Sequence, residues 1–116
     1  MTLTPDAAAH HDISCQALAR VIGGRTPGPG DFDTAIAGLG LFRRDAVAPA
    51  CACLVEPSIV LVVQGAKQMW IGGQAFPYDT SRFLITSLDL PGDSEVTAAT
   101  PEHPCLGLAL KLDLRI

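Results

Sequence analysis

Long hydrophobic runs are missing from this sequence, although 48% of its 116 residues are hydrophobic. Asp, Arg, Pro or Gly interrupts every apolar run well before the roughly 18 residues that a membrane-spanning helix needs. The N-terminus has no basic region followed by an apolar core, as a secretory signal peptide would require. We therefore expect a cytoplasmic protein with no membrane partner, and its length is that of one domain.

Paired cysteine motifs are also missing, because none of the four cysteines belongs to a Cys-x-x-Cys pair. A disulfide framework is therefore not expected in a chain with a cytoplasmic profile. Cys51, Cys53 and Cys105 together with His103 give one alternative, a zinc site, but structural zinc sites usually show tighter paired spacing. Free thiols, with no metal and no cofactor, are the main expectation for these cysteines and for Cys15.

Positive charge is scarce, since 8 Lys and Arg residues stand against 12 Asp and Glu residues and the net charge is −4. A protein that binds nucleic acid or an anionic membrane by itself needs a basic patch to neutralise phosphates. The composition therefore argues against either kind of binding by this chain alone.

Motifs for catalysis are absent as well. A nucleophile and its base would need a histidine held within the fold, but His10 and His11 lie near the N-terminus and His103 lies in a loop between two prolines. The glycines at positions 65 and 72–73 fit hairpin turns with no following helix, which is not the pattern of a phosphate-binding loop. We expect no enzymatic activity.

The stretch from position 56 to position 79 predicts three strands in sequence. Ser58–Gln64 is rich in β-branched residues, and Gly65-Ala66 has the glycine-first order of a type II′ hairpin. Lys67–Ile71 is the predicted return strand, Gly72-Gly73 a second turn with positive φ, and Gln74–Tyr78 the third strand. Both faces of the first strand are apolar, which indicates a barrel or sandwich rather than a one-sided sheet.

The N-terminal third predicts a helix and a loop. Asp6–Ile22 is the helix, with Gly23-Gly24 as its C-terminal stop. Its predicted apolar stripe consists of Ile13, Ala17, Leu18, Val21 and Ile22. Arg25–Asp31 has two prolines and two glycines and is predicted to be a loop, so we expect the β part to begin near Thr34.

The remaining segments predict further short strands. Strands are expected at Leu39–Val47, Arg82–Leu88, Glu95–Ala98 and Cys105–Ile116. The last of them alternates leucine with smaller or polar residues at a period of two, and Leu90–Asp93 has the Pro-Gly order of a type II turn. Ala48–Cys53 is predicted to be a loop, because Pro49 cannot donate to a central ladder. About seven or eight strands separated by turns predict an all-β barrel or sandwich.

A small β-barrel is a natural cup for a ligand, so polar residues of its strands are the candidate contacts. The candidates are Arg43, Glu56, Gln64, Lys67, Gln68, Trp70 and Tyr78. Each residue also has a purely structural interpretation, in which it begins a strand, flanks a solvated turn or fills the core with an aromatic ring.

An ordered set of short motifs resembles the N-terminal domain of AraC-type transcription regulators over about Thr34 to Asp113. The motif residues are Glu56-Pro57-Ser58, Gln64-Gly65-Ala66-Lys67, Gly72, Tyr78-Asp79, Leu84, Ser87, Asp89-Leu90-Pro91, Pro101 and Pro104. The resemblance implies an all-β, cupin-like β-barrel (double-stranded β-helix) that senses a small-molecule effector and assists dimerisation, so a homodimer of the full-length protein is expected. It also implies that DNA is bound by a C-terminal helix-turn-helix part.

The predicted organisation is therefore an N-terminal helix and loop arm over residues 1–33, peripheral to an effector-sensing domain over residues 34–116. The chain stops on an apolar strand pattern before any recognition helix, so we expect it to be a fragment that does not bind an operator. The alternative function is a small metal-dependent cupin enzyme or a stand-alone metabolite-binding cupin. Metal-binding cupins use a His-x-His motif, which this sequence lacks.

Overall fold

The two apolar faces predicted for residues 58–64 have different partners in the computed structural model, which describes residues 5–113. Within this range, helix α1 spans Pro5–Arg25, and the strands are β1 Gly30–Asp33, β2 Leu39–Arg44, β3 Ala48–Val55, β4 Ser58–Gln64, β5 Ala66–Ile71, β6 Gln74–Asp79, β7 Leu84–Thr86, β8 Leu90–Ala98 and β9 Cys105–Lys111. One face of β4 lies against a second sheet, and the other lies against α1.

The strands form two antiparallel sheets that face each other. The five-stranded sheet has the order β1-β2-β9-β4-β7, and the four-stranded sheet has the order β3-β8-β5-β6. The prediction of an all-β domain with a peripheral helix is confirmed. Among the described residues no strand ladder joins the two sheets, so the predicted cupin-like barrel has the form of an open, two-layered cup and not of a closed barrel.

The predicted hairpin at Gly65-Ala66 is wrong, because β4 and β5 belong to different sheets. Gly65 is the point at which the chain crosses from one sheet to the other, with φ +83°. A Cβ atom at this position would lie 2.6 Å from the carbonyl oxygen of Ala98 and 2.8 Å from the Cα atom of Cys105. Only glycine fits this crossing without a backbone shift.

The second predicted turn is confirmed. Gly72 and Gly73 have φ values of +58° and +78°, and they join β5 to β6 in a hairpin whose ladder runs from Ile71–Gln74 to Ala66–Asp79. Two successive positive φ values are the signature of a type I′ turn, whose twist matches that of the flanking strands.

Two segments predicted to be a loop or a turn are strands. Ala48–Cys53 belongs to β3, an edge strand, and Pro49 lies where the β3–β8 register shifts between Ala48 and Cys51. Proline is tolerated at an edge and at a bulge. The expected turn at Leu90–Asp93 lies inside β8, where a Cβ atom on Gly92 would approach the carbonyl oxygen of Trp70 to 3.1 Å. That glycine serves close packing rather than a turn.

Several predicted boundaries also shift. The expected loop Arg25–Asp31 overlaps β1, which pairs with β2. Strand β2 ends at Arg44 rather than Val47, and β7 covers only Leu84–Thr86 of the expected Arg82–Leu88. Strand β9 begins at Cys105 as predicted and ends at Lys111, and residues 114–116 of the expected strand lie outside the described residues.

Helix α1 is confirmed, but its stop and its packing stripe are not as predicted. It runs through Gly23-Gly24 to Arg25. Ala19 and Ile22 are buried against Val63 and Leu106, which lie on the outer face of the five-stranded sheet. Four members of the expected stripe are instead exposed, namely Ile13, Ala17, Leu18 and Val21. The face of α1 that packs on the sheet is therefore the one that carries Ala19 and Ile22, and of the predicted stripe only Ile22 belongs to it.

The main core fills the space between the sheets. Its buried members are Phe42, Val55, Val62, Met69, Tyr78, Val96 and Cys105. Phe42 packs directly over Gly107, since a Cβ atom there would lie 2.3 Å from the Cζ atom of Phe42 and 2.3 Å from the carbonyl oxygen of Leu61. The missing side chain of Gly107 thus creates the space for the aromatic ring.

Replacing both Gly72 and Gly73 by valine is expected to lower the free energy of unfolding by roughly 3 kcal/mol or more, because a β-branched residue is strained at positive φ. Urea unfolding followed by circular dichroism measures the change. Gly28→Val is the control, since a Cβ atom on Gly28 meets nothing within 4 Å and its φ is not positive. Wild-type stability in the double variant would contradict the turn assignment.

Replacing Gly107 by alanine is expected to destabilise the domain by about 3 kcal/mol, because the new methyl group overlaps a backbone oxygen and the Phe42 ring. Gly24→Ala is its matched control. Gly24 lies in α1 with open space at its Cβ position, so this change should raise stability by about 0.5–1 kcal/mol. Equal melting temperatures for the two variants would show that the ring does not need Gly107.

Candidate functional site

Two of the predicted ligand contacts, Lys67 and Tyr78, face the space between the sheets together. They are paired across the β5–β6 ladder, and Val96 flanks Lys67 on the other side. Lys67 shares its face of β5 with Met69 and Ile71, which pack in or against the main core. The strand alternation therefore directs a lysine into an apolar interior.

The ammonium group of Lys67 lies against aromatic rings. Its Nζ atom is 4.8 Å from the centroid of the Phe42 ring and 5.9 Å from that of Tyr78. Such cation–π contacts contribute about 0.5–2 kcal/mol. Within residues 5–113 the ammonium has no carboxylate in ion-pair distance and no hydrogen-bond acceptor. Lys67 is thus a half-buried cation without an anionic partner.

Arg44 brings a second positive charge to the same end of the cup. It shares its face of β2 with Phe42 by strand alternation. Its guanidinium lies 2.8 Å from the carboxylate of Asp31 and donates to the carbonyl oxygens of Gly30 and Arg43. Arg44 is therefore ion-paired with Asp31, whereas Lys67 forms no ion pair among the described residues.

The pKa shifts of the cluster show how poorly this environment solvates charge. Burial lowers the pKa of Lys67, and the nearby charge of Arg44 lowers it further. Burial raises the pKa of Tyr78 to about 12, although a hydrogen bond with Ser94 opposes the shift. Burial also raises the pKa of the Cys105 thiol. Each group is shifted toward its neutral form, as desolvation requires.

A cleft of about 620 Å³ borders this cluster. Its lining includes Gly40, Phe42 and Ala109 on neighbouring strands β2 and β9, and Asp31 on β1. The volume lies within the range of small-molecule sites. The cleft ends at Phe42, the residue that contacts Lys67, so open space and the unpaired charge meet at one aromatic ring.

Three other predicted contacts, Arg43, Gln68 and Trp70, lie on outer faces. The Nε atom of Arg43 donates to Asp45 at 2.8 Å, and its Nη1 atom donates to the carbonyl oxygen of Thr26. The Nε1 atom of Trp70 donates to Glu95 at 2.9 Å, and Gln68 donates to the same carboxylate. These side chains are not brought together with Lys67.

The last two predicted contacts lie apart from the cluster as well. Glu56 is exposed, with its carboxylate 3.7 Å from the ammonium of Lys111. The Nε2 atom of Gln64 donates to the carbonyl oxygen of Pro104 at 2.8 Å, and Gln64 lines a separate cleft beside α1. Ligand contact by any of the seven residues stays a prediction.

Phe42, Arg44 and Cys105 are residues of the cluster that the sequence reasoning missed. The signal was available for Arg44, because a strand that buries Phe42 directs residue 44 to the same side and residue 43 to the opposite side. For Cys105, the period of two in β9 gives two faces but does not say which one faces the second sheet.

Neither a metal centre nor a membrane span is found in the described part of the chain. No group of three or more His, Cys, Asp or Glu side chains within residues 5–113 could hold a metal ion, so the zinc alternative gains no support. Cys51 and Cys53 are exposed, Cys105 is buried, and all are free thiols. No helix among these residues is long and apolar enough to cross a membrane.

Replacing Lys67 by methionine is expected to raise the free energy of unfolding by roughly 1 kcal/mol at neutral pH, because an unpaired cation in an apolar core is unfavourable. Lys111→Met is the matched control, with an expected change within about 0.5 kcal/mol, since that side chain is 70% exposed. Urea unfolding measures both. A less stable Lys67→Met variant would show that the ammonium stabilises the fold.

The same pair predicts a pH dependence. Because the folded state lowers the pKa of Lys67 from 10.5, the unfolded state binds more protons between the lowered pKa and 10.5. The free energy of unfolding of the wild type should therefore rise with pH in that window relative to Lys67→Met. Tyr78 and Cys105 also face this group and are present in both proteins, so the difference removes the part of their titration that does not depend on Lys67. A difference that stays constant would contradict the shift.

Comparisons with known proteins complete these observations. No match was found among the curated proteins. Among solved structures, the chain is similar to a cupin protein from Bacteroides fragilis, with a TM-score of 0.45 and 14% identity over 77% of this chain and 80% of that one. The family model described as the AraC-type transcriptional regulator N-terminus matches residues 35–116, which include β2 to β9. The resemblance read from the sequence motifs is confirmed, and the chain belongs to the family of AraC-type transcriptional regulator N-termini.

Proposed function

We propose that this regulatory domain binds a small-molecule effector between its two sheets, at the cleft that ends on Phe42. The observation that carries the proposal is the Lys67 ammonium, which lies over the Phe42 ring with no anionic partner among the described residues. An unpaired polar group inside a core is unfavourable for stability, and such groups concentrate where a ligand supplies the missing partner.

Binding rather than catalysis is supported by the same geometry. In the described residues Lys67 makes no hydrogen bond to Cys105 or Tyr78, so no nucleophile is paired with a base within this cluster. The predicted alternative, a metal-dependent cupin enzyme, can be tested by metal analysis of the purified protein. Iron, manganese or nickel in a one-to-one ratio without added metal would favour that alternative.

DNA recognition is assigned to another part of the regulator. The chain has a net charge of −4, and α1 uses Ala19 and Ile22 to pack against the five-stranded sheet, so this helix is not available to enter a major groove. A C-terminal helix-turn-helix part would read the operator, in the cytoplasm, with a homodimer of the full-length protein engaging two half-sites.

Residues 1–116 are therefore expected not to bind an operator at physiological salt. Specific binding typically draws on roughly six or more phosphate contacts, which this acidic chain does not supply. A fluorescence anisotropy titration with the regulator's own promoter measures binding, and an unrelated duplex of equal length is the control. Sub-micromolar, sequence-dependent binding would contradict the separation of effector sensing from DNA reading.

Effector binding is expected to appear as a ligand-dependent rise in melting temperature. A ligand at a hundred times its dissociation constant adds about 2.7 kcal/mol to stability. A thermal-shift screen against a metabolite library should yield at least one compound that stabilises the wild type and Arg82→Met but not Lys67→Met, since the Arg82 side chain is 58% exposed and does not line the cleft. A screen without any stabilising compound, or with compounds that act equally on all three proteins, would contradict the proposed site.

A further inference from the structure

We infer that Cys51 and Cys53 form a two-coordinate binding site for a soft monovalent metal ion, of which copper(I) is the type. Such a site is separate from the proposed effector cleft, whose lining contains neither thiol. Three features of the molecule point to it, namely the geometry of one edge strand, the exposure of its thiols and the charge near them.

The two thiols lie on the same face of β3. The ladder between β3 and β8 is regular over residues 51–55, and its register shift lies before Cys51. In a regular strand, residues i and i+2 point to the same side. Cys51 and Cys53 therefore share the face of Val55, which is buried in the main core.

Solvent reaches both thiols. Strand β3 is an edge strand with a neighbour on one side only, and both cysteines are exposed. The other two cysteines of the chain differ, because Cys15 is half-buried in α1 and Cys105 is fully buried. Of the four thiols, these two are therefore the ones that an incoming ion can reach together.

The spacing of the pair favours a bridging ion over a disulfide. Same-face neighbours in a strand lie about 6.7 Å apart and their Cβ atoms keep that separation, whereas a disulfide needs Cβ atoms about 4 Å apart. Rotation about χ1 brings the two sulfur atoms to about 4.6 Å, which is twice a metal–thiolate bond of about 2.3 Å. A linear sulfur–metal–sulfur arrangement therefore fits this strand without distortion.

The number of ligands decides which metal is held. Within residues 5–113, no group of three or more His, Cys, Asp or Glu side chains could hold a metal ion, so the pair has no third ligand of these types there. Zinc needs at least three protein ligands. Soft thiolates select copper(I), whose filled d shell accepts a linear arrangement of two ligands. The pair is therefore suited to copper(I) and not to zinc.

Binding exchanges protons for the ion and leaves the oxidation state of the metal unchanged. The two S–H bonds break, two sulfur–copper bonds form, and two protons pass to the buffer. The resulting complex carries one negative charge. Burial lowers the pKa of Lys67, and Cys53 is among the groups that oppose this shift, so the ammonium lies within electrostatic range of the complex. Lys67 forms no ion pair among the described residues, and its charge favours the anionic complex.

Competition for copper(I) without oxygen tests the site. The 116-residue chain is titrated into a coloured copper(I)–bicinchoninate complex, and the loss of colour measures transfer of the ion. The wild type is expected to take up one ion per chain. Cys51→Ser and Cys53→Ser are each expected to bind at least about a hundredfold more weakly, because the second thiolate of the pair acts as an intramolecular ligand. Cys15→Ser is the matched control, which removes one thiol outside the pair and should bind as the wild type does.

Two further measurements define the site. Zinc, offered through a coloured zinc chelator, is expected to bind at least about a hundredfold more weakly than copper(I). Gel filtration of the loaded wild type should show no copper-dependent change in elution volume, since both sulfur atoms belong to one chain.

Four outcomes overturn the assignment. Wild-type affinity in either Cys51→Ser or Cys53→Ser shows that the ion lies elsewhere. An equal loss in Cys15→Ser shows that the thiols act without the geometry of β3. Zinc that binds as tightly as copper(I) shows a site with more ligands, and a copper-dependent dimer shows an ion that bridges two chains. Cys51→Ala and Cys53→Ala replace the serine variants if circular dichroism shows that those do not fold.

Discussion

The crossing of the chain at Gly65 is the constraint on which the two-layered structure depends. Strand β4 hydrogen-bonds within the five-stranded sheet, and β5 begins one residue later in the other sheet. The chain can cross here only because Gly65 has no Cβ atom, which would clash with the Ala98 carbonyl oxygen and the backbone of Cys105. It also fixes the phase of β5, since the alternation that follows places Lys67, two residues on, inside the cup.

A second glycine links packing to the candidate site. Gly107 leaves room for the Phe42 ring, and that ring in turn carries the ammonium of Lys67 at 4.8 Å. A larger residue at position 107 would displace the ring from the ammonium and from the end of the cleft. The domain thus combines tight aromatic packing with an unpaired charge, a combination that lowers stability and is retained where a protein needs it for binding.

The sequence predicted most strands but not their assignment to sheets. The Gly72-Gly73 hairpin and the alternation in β9 were readable, because turn chemistry and a period of two are local signals. The crossing at Gly65 could not be predicted, since a glycine with positive φ fits a hairpin turn and a change of sheet equally well. The Pro-Gly pair in β8 gave a wrong turn prediction for a related reason, because Gly92 packs closely against the backbone of Trp70 instead of forming a turn.

The candidate site shows the same limit. Lys67 and Tyr78 were identified as polar strand residues, whereas Arg44 was passed over for Arg43, which lies on the outer face. Polarity alone does not show whether a strand residue faces the core or the solvent. A buried neighbour is needed to decide, and in β2 that neighbour is Phe42.

The net charge of the chain and the charge of Lys67 inside the cup have opposite signs. The chain carries a net charge of −4, so long-range attraction does not draw anions toward it. A positive charge is instead held inside the cup at Lys67, against the Phe42 and Tyr78 rings, where an ion pair would be screened by salt less than at the surface. An effector bound there, as proposed, would meet that charge only after it enters the space between the sheets.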